Sequence, residues 1–110
     1  MSLFKRLHAL RAFEKRHLDF LNTVEDFDLI REIGYHQERG APLTMKSLYL
    51  LDVASVATIQ RRLRRLRQYG AVLQARSKRD RRAVELLITP KLQKTLARYA
   101  ELLEGRHVEA

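Results

Sequence analysis

Apolar side chains recur along this chain with two different periods, and the change from one to the other divides it into elements. From Ser2 to Asn22 the positions Leu3, Leu7, Leu10, His17 or Leu18, and Leu21 return at helical spacing, with Phe4, Phe13 and Phe20 widening the stripe, which predicts one amphipathic helix. Thr23, followed three residues later by Asp26, carries a capping signature and predicts a second helix. Its buried face is Phe27, Ile30 and Ile33, with Leu29 undecided, and Gly34 offers room for another helix to approach. The run Glu38 to Pro42 breaks the chain. Thr44 then caps a short third helix with Leu48 and Leu51 inward and Val53 filling the turn.

Asp52, Val53 and Ala54 interrupt the period, Ser55 can cap the next helix, and Gly70 can end it. At 100° per residue, Ile59, Leu63 and Leu66 fall on one narrow face of this fourth helix; Ala57, Gln60, Arg61, Arg64 and Gln68 lie on or near the opposite one. After Gly70 the period becomes two. Val84, Leu86 and Ile88 alternate against Ala83, Glu85 and Leu87, and pair with the run Val72 to Ser77 in a hairpin whose tip is Lys78 to Arg82. Thr89 and Pro90 restart a helix as cap and first residue; Leu92, Leu96, Tyr99 or Ala100, and Leu103 form its stripe, and Gly105 ends it before a short tail. The predicted fold class is mainly α with a small β-hairpin (α+β), a winged helix-turn-helix. Within a single domain, 1–110, residues 44–70 form the helix-turn-helix, 71–89 the wing, and 2–22 and 90–104 two flanking helices suited to dimerisation.

Charge sharpens this picture because it is segregated. Residues 1–43 carry seven basic and seven acidic side chains, residues 83–110 carry four of each, and residues 44–82 carry eleven basic and two acidic ones. The whole net charge of +9 therefore sits on the helix-turn-helix and wing, as a footprint for a polyanion would require. No acid occurs between Ser55 and Arg79, so the arginine row lacks the mixed signs that support an ordinary solvated helix.

In a winged helix the second helix of the motif enters the major groove, where Arg suits guanine O6 and N7 and Gln suits adenine. Ala57, Gln60, Arg61 and Arg64 are the candidates to reach base edges. Ser55, Thr58 and Arg65, nearer the flanks, are candidates for phosphates, as are Thr44 and Lys46 at the start of the preceding helix. At the wing tip the candidates are Lys78, Arg79, Arg81 and Arg82, and strand alternation leaves open which of Arg81 and Arg82 points at the DNA. The bland alternatives are a solvated face for the helix and a charged hairpin end kept soluble for the tip.

Cysteine is absent, which excludes disulfides and thiolate chemistry. His8, His17, His36 and His107 are scattered without metal-ligand spacing, and His17 reads as a core or interface imidazole. Glu25, Asp26 and Asp28 read as capping and dipole partners. No cofactor, no metal and no catalysis are expected. No apolar run approaches the ~20 residues of a membrane span, and Met1 to Arg11 is too interrupted by charge for a secretory segment. A cytoplasmic protein is expected.

The stretch from Gly40 to Thr89 resembles the MarR family of bacterial transcription regulators. The resemblance rests on GAPLT at Gly40 to Thr44, on Leu63, Leu66 and Gly70 in phase with Val72, on Asp80 and Arg82 as the wing's D-x-R, and on Thr89 after the second wing strand. It implies that the first helix dimerises, that Arg82 enters the minor groove, and that Asp80 orients basic side chains. The family's glycine soon after that threonine and its further C-terminal helix have no counterpart here, so dimerisation falls to the Leu3 to Leu21 and Leu92 to Leu103 helices, and no effector ligand is predicted. The expected function is a homodimeric, sequence-specific double-stranded DNA-binding regulator, a repressor rather than an activator. The alternatives are a non-specific nucleoid protein of the same fold, or an interaction module whose basic face meets an acidic protein or RNA.

Overall fold

A computed structural model describes residues 2–105; the tail beyond Gly105, with His107, lies outside the described residues. In chain order the elements are α1 (Leu3–His17), α2 (Val24–Glu38), α3 (Met45–Leu50), α4 (Val56–Tyr69), β1 (Val72–Arg76), β2 (Val84–Ile88) and α5 (Pro90–Leu103). They fall into two compact units, one of residues 2–20 with 90–105 and the other Leu21–Thr89.

In the first unit α1 packs against α5. Phe13 is the centre of this contact. Its ring lies 4.6 Å from the half-buried His17 ring and 5.5 Å from Tyr99, and the Arg98 guanidinium sits 5.6 Å above it. Tyr99 Oη donates to Glu14 Oε2 at 2.7 Å, so the phenol's polar end is satisfied while its ring fills space. The expected helix from Ser2 to Asn22 is shorter than its stripe suggests, ending at His17. Beyond the C-cap Leu18 the chain leaves the helix, and the Asn22 N–H is given to Asp26 Oδ2 at 3.1 Å. Leu18, Phe20 and Leu21 are still buried, but from the connector.

The second unit is a helix-turn-helix followed by a hairpin. Thr23 caps α2 by accepting the Asp26 N–H at 3.1 Å. Thr44 and Ser47 cap α3 reciprocally: Ser47 N–H donates to Thr44 Oγ1 at 3.2 Å, and Thr44 N–H to Ser47 Oγ at 2.8 Å. Ser55 caps α4 by accepting the Thr58 N–H at 3.2 Å. Gly70 then ends α4 at φ 93°, a left-handed conformation in which a side chain is strained. The hairpin is antiparallel, pairing Val72 with Ile88 and Arg76 with Val84. A single bridge from Thr44 to Glu85, with Leu86 N–H donating to Leu43 O at 2.8 Å, ties the segment before α3 to β2.

The core of this unit is Leu29, Ile30, Ile33, Leu48, Ile59, Leu63, Leu66, Val72, Leu86 and Ile88, which settles Leu29 as buried and leaves Phe27 only half-covered. Two expectations need correction. Leu51 is not inward but 39 % exposed: α3 stops at Leu50, the chain turns through Asp52 at φ 55°, and Leu51 lines a shallow cleft with Asp28, Arg31 and Glu32. Gly34 receives no helix; the atom nearest its α-carbon face is Ile88 Cγ1, 3.6 Å from where a Cβ would stand, so the small residue faces β2.

Candidate nucleic-acid interface

The period of α4 sorts its side chains as its wheel predicts. Ile59, Leu63 and Leu66 are buried, while Ala57, Gln60, Arg61, Arg64 and Gln68 are exposed. Arg61 and Arg64 thus share an outward face with the small Ala57, which leaves room for a surface to approach between longer side chains. Gln60 is held: its amide Nε2 donates to Tyr49 Oη of α3 at 3.2 Å. At the N-terminus of α4, Ser55 Oγ donates to Thr58 Oγ1 at 3.0 Å besides capping the helix. Thr44 is half-buried within its capping box, and Lys46 stands exposed beside it on α3.

One of the helix's arginines turns the other way, and a second, half-exposed, stands at the edge between the two faces. Asp26, fully buried, accepts from Arg62 Nε at 2.8 Å and from Arg62 Nη2 at 2.5 Å, a two-point clasp across 36 residues of sequence. Arg62 Nη2 also donates to Asn22 Oδ1 at 2.6 Å, and Arg65 Nη1 lies 3.5 Å from Asp26 Oδ2. Burial pushes the Asp26 carboxyl up, but the Arg62 hydrogen bonds, the Asn22 N–H and the charges of Arg62 and Arg65 together hold it below its ordinary 3.8. Asp26 is therefore an anion at neutral pH and the local counter-charge to the inner edge of α4. The reading of Asp26 as a capping residue alone was incomplete.

The wing tip is ordered by its own polar groups. Ser77 is buried, and its Oγ accepts the N–H groups of Arg79 at 3.1 Å and Asp80 at 3.2 Å. Asp80 Oδ1 accepts the Arg82 N–H at 3.0 Å, so the aspartate of the D-x-R pair braces main chain. Arg76 donates to the Arg81 carbonyl, and Arg79 Nη2 reaches Gly40 O at 3.4 Å. Lys78, Arg79, Arg81 and Arg82 are all exposed around this braced turn. At the wing's far end Thr89 Oγ1 donates to Gly70 O at 2.6 Å, and Thr89 N–H to Ala71 O at 3.1 Å, closing the hairpin against the end of α4.

No family model matches the chain, and no curated protein does. Solved structures do. The S. aureus MepR–DNA complex aligns over 94 % of this chain and 77 % of its own, with TM-score 0.69 at 18 % identity. The transcriptional regulator Tm0710 from Thermotoga maritima aligns over 94 % and 70 %, with TM-score 0.63 at 25 % identity. A crystal structure of MarR aligns over 96 % and 80 %, with TM-score 0.53 at 24 % identity.

The chain is a MarR-like winged helix.

Among the described residues, no cluster of three His, Cys, Asp or Glu could hold a metal ion, and no helix is long and apolar enough to cross a membrane. The exposed cations of the helix-turn-helix and wing gather on the outward face of α4, the start of α3 and the braced tip, which together form the candidate surface. Three contributors were missed from sequence: Tyr49, Ser77 and the Asp26 to Arg62 clasp. The last had a signal. On the helical wheel Arg62 falls beside the Leu66 edge of the core stripe, and a half-buried cation in a helix with no acid nearby needs a carboxylate from elsewhere.

Proposed function

We propose that this protein is a homodimeric, sequence-specific double-stranded DNA-binding transcriptional regulator of the cytoplasm that represses by occupying a pseudo-palindromic operator. The observation that carries the reading is the outward face of α4, where Arg61 and Arg64 stand exposed with Ala57 and Gln60 while the one buried carboxylate of the unit clasps Arg62 instead. Outward arginines without a facing acid suit guanine edges or phosphates. Ser55, Thr58, Lys46, Arg65 and the tip cations Lys78, Arg79, Arg81 and Arg82 would meet the backbone on either side. That the structurally similar S. aureus MepR was solved in complex with DNA supports the same reading.

A second copy has a place to bind. Leu3, Phe4, Leu7 and Leu103 are exposed, Phe4 to 78 %. A Cβ on Gly105 would meet the Arg6 guanidinium, so these residues gather where the start of α1 meets the end of α5. Covering that patch with its symmetry mate is the economical solution for a helical pair with an unpartnered end. Two recognition helices would then meet successive major grooves about 34 Å apart.

Gel shifts across a salt series test the proposal. With six or more phosphates neutralised per dimer, affinity should fall roughly 10³-fold between 50 and 200 mM salt, and a selected site should exceed random duplex by roughly 10³ or more. Salt-insensitive binding, or full binding by the Arg61→Ala, Arg64→Ala double variant, would refute it.

A further inference from the structure

The contact between Tyr49 and Gln60 is not needed to hold the two helices of the motif together. Leu48 of α3 and Ile59 and Leu63 of α4 are each buried in the unit's core without it, whereas Gln60 is exposed and Tyr49 only half-buried. Yet Gln60 Nε2 donates to Tyr49 Oη at 3.2 Å, fixing a side chain that otherwise turns about three bonds. The chemistry of what remains is specific. A glutamine amide has two N–H groups and one carbonyl oxygen. With one N–H given to Tyr49, the other N–H and Oε1 remain side by side, the donor and acceptor pair that matches N7 and the N6 amino group of adenine. Tyr49, accepting through Oη, keeps its own proton to donate, and the phosphate oxygens bordering a major groove are acceptors.

We propose that Tyr49 is a positioning residue for base reading: by holding Gln60 it imposes a preference for adenine at one base pair of each half-site, while its own hydroxyl donates to a phosphate. The inference rests on the DNA-reading function proposed above. Loss of the Tyr49 hydroxyl leaves Gln60 able to reach the base but free to wander, so discrimination should suffer more than affinity.

The test uses the full chain and duplexes selected from a random pool, then a panel in which each position of the selected site carries all four base pairs. In the wild type one position per half-site should favour adenine by about tenfold or more, the range of a bidentate contact. Tyr49→Phe, which keeps the ring and its packing, should reduce that preference at least about threefold while other positions keep theirs. Gln60→Ala should abolish it, and adding Tyr49→Phe to Gln60→Ala should change no base preference further. A Tyr49→Phe variant that keeps the preference in full overturns the inference, as does one that weakens every position equally. The Arg61→Ala, Arg64→Ala variant separates the two readings: if it binds as the wild type does, DNA reading itself fails; if it loses binding while Tyr49→Phe keeps the preference, only the role of Tyr49 fails.

Discussion

Replacing Asp26 by Asn should destabilise this protein more than any surface change to its arginines. The carboxylate accepts three hydrogen bonds, two from Arg62 and one from the Asn22 N–H, and lies 3.5 Å from Arg65. The amide keeps the shape but loses the charge, and leaves the Arg62 guanidinium, only 15 % exposed, without its anion. Removing one partner of a buried pair costs about 3–5 kcal/mol. Because Arg62 retains Asn22 Oδ1 and some access to water, about 3 kcal/mol is the better figure. In a domain of this size that is a fall in Tm of roughly 10–20 °C, and a large share of the about 5–15 kcal/mol that holds a typical domain folded. Urea unfolding of wild type, Asp26→Asn, Arg62→Met and the Asp26→Leu, Arg62→Met double variant measures it. Each single change should lower the midpoint at unchanged slope, and the double variant should recover most of the loss because no uncompensated charge is left behind. A loss below about 1 kcal/mol for Asp26→Asn, or additive losses in the double variant, would show that the clasp does not tether α4.

The same carboxylate sets a pH dependence. Its folded value lies below 3.8, so the unfolded chain binds the proton more readily, and the clasp's contribution is complete above the ordinary carboxylate range and lost as pH falls through 3.8 and then through the lower folded value; acid titration of stability should be steeper in wild type than in Asp26→Asn. Leu7→Glu in the exposed patch of the α1 and α5 pair should yield a monomer by sedimentation with the circular dichroism of the wild type, and a retained dimer would remove that patch from the interface. Gly70→Ala should cost about 1–2 kcal/mol in thermal unfolding, because φ is 93° there and no atom lies within 4 Å to crowd a Cβ, which makes the cost one of backbone alone.

Local regularities were legible in the residues themselves. A helix wheel depends only on spacing, so the buried Ile59, Leu63 and Leu66 and the outward Arg61 and Arg64 follow from order along the chain. So do the caps at Thr23, Thr44 and Ser55, the stop at Gly70, the hairpin, and the confinement of the net charge to residues 44–82. Packing decided what spacing leaves open. Asp26 satisfies a capping rule whether or not an arginine lies 36 residues away, and only the approach of α2 to α4 makes it the partner of Arg62. Leu18 to Asn22 continue an apolar stripe, but a stripe records burial and not helix: α1 ends at His17, and the Asn22 N–H serves Asp26. Tyr49 and Gln60 carry no pattern linking them. Their contact exists because the turn at Asp52 folds α3 back on α4, and a juxtaposition made by a turn between two helices leaves no period in either.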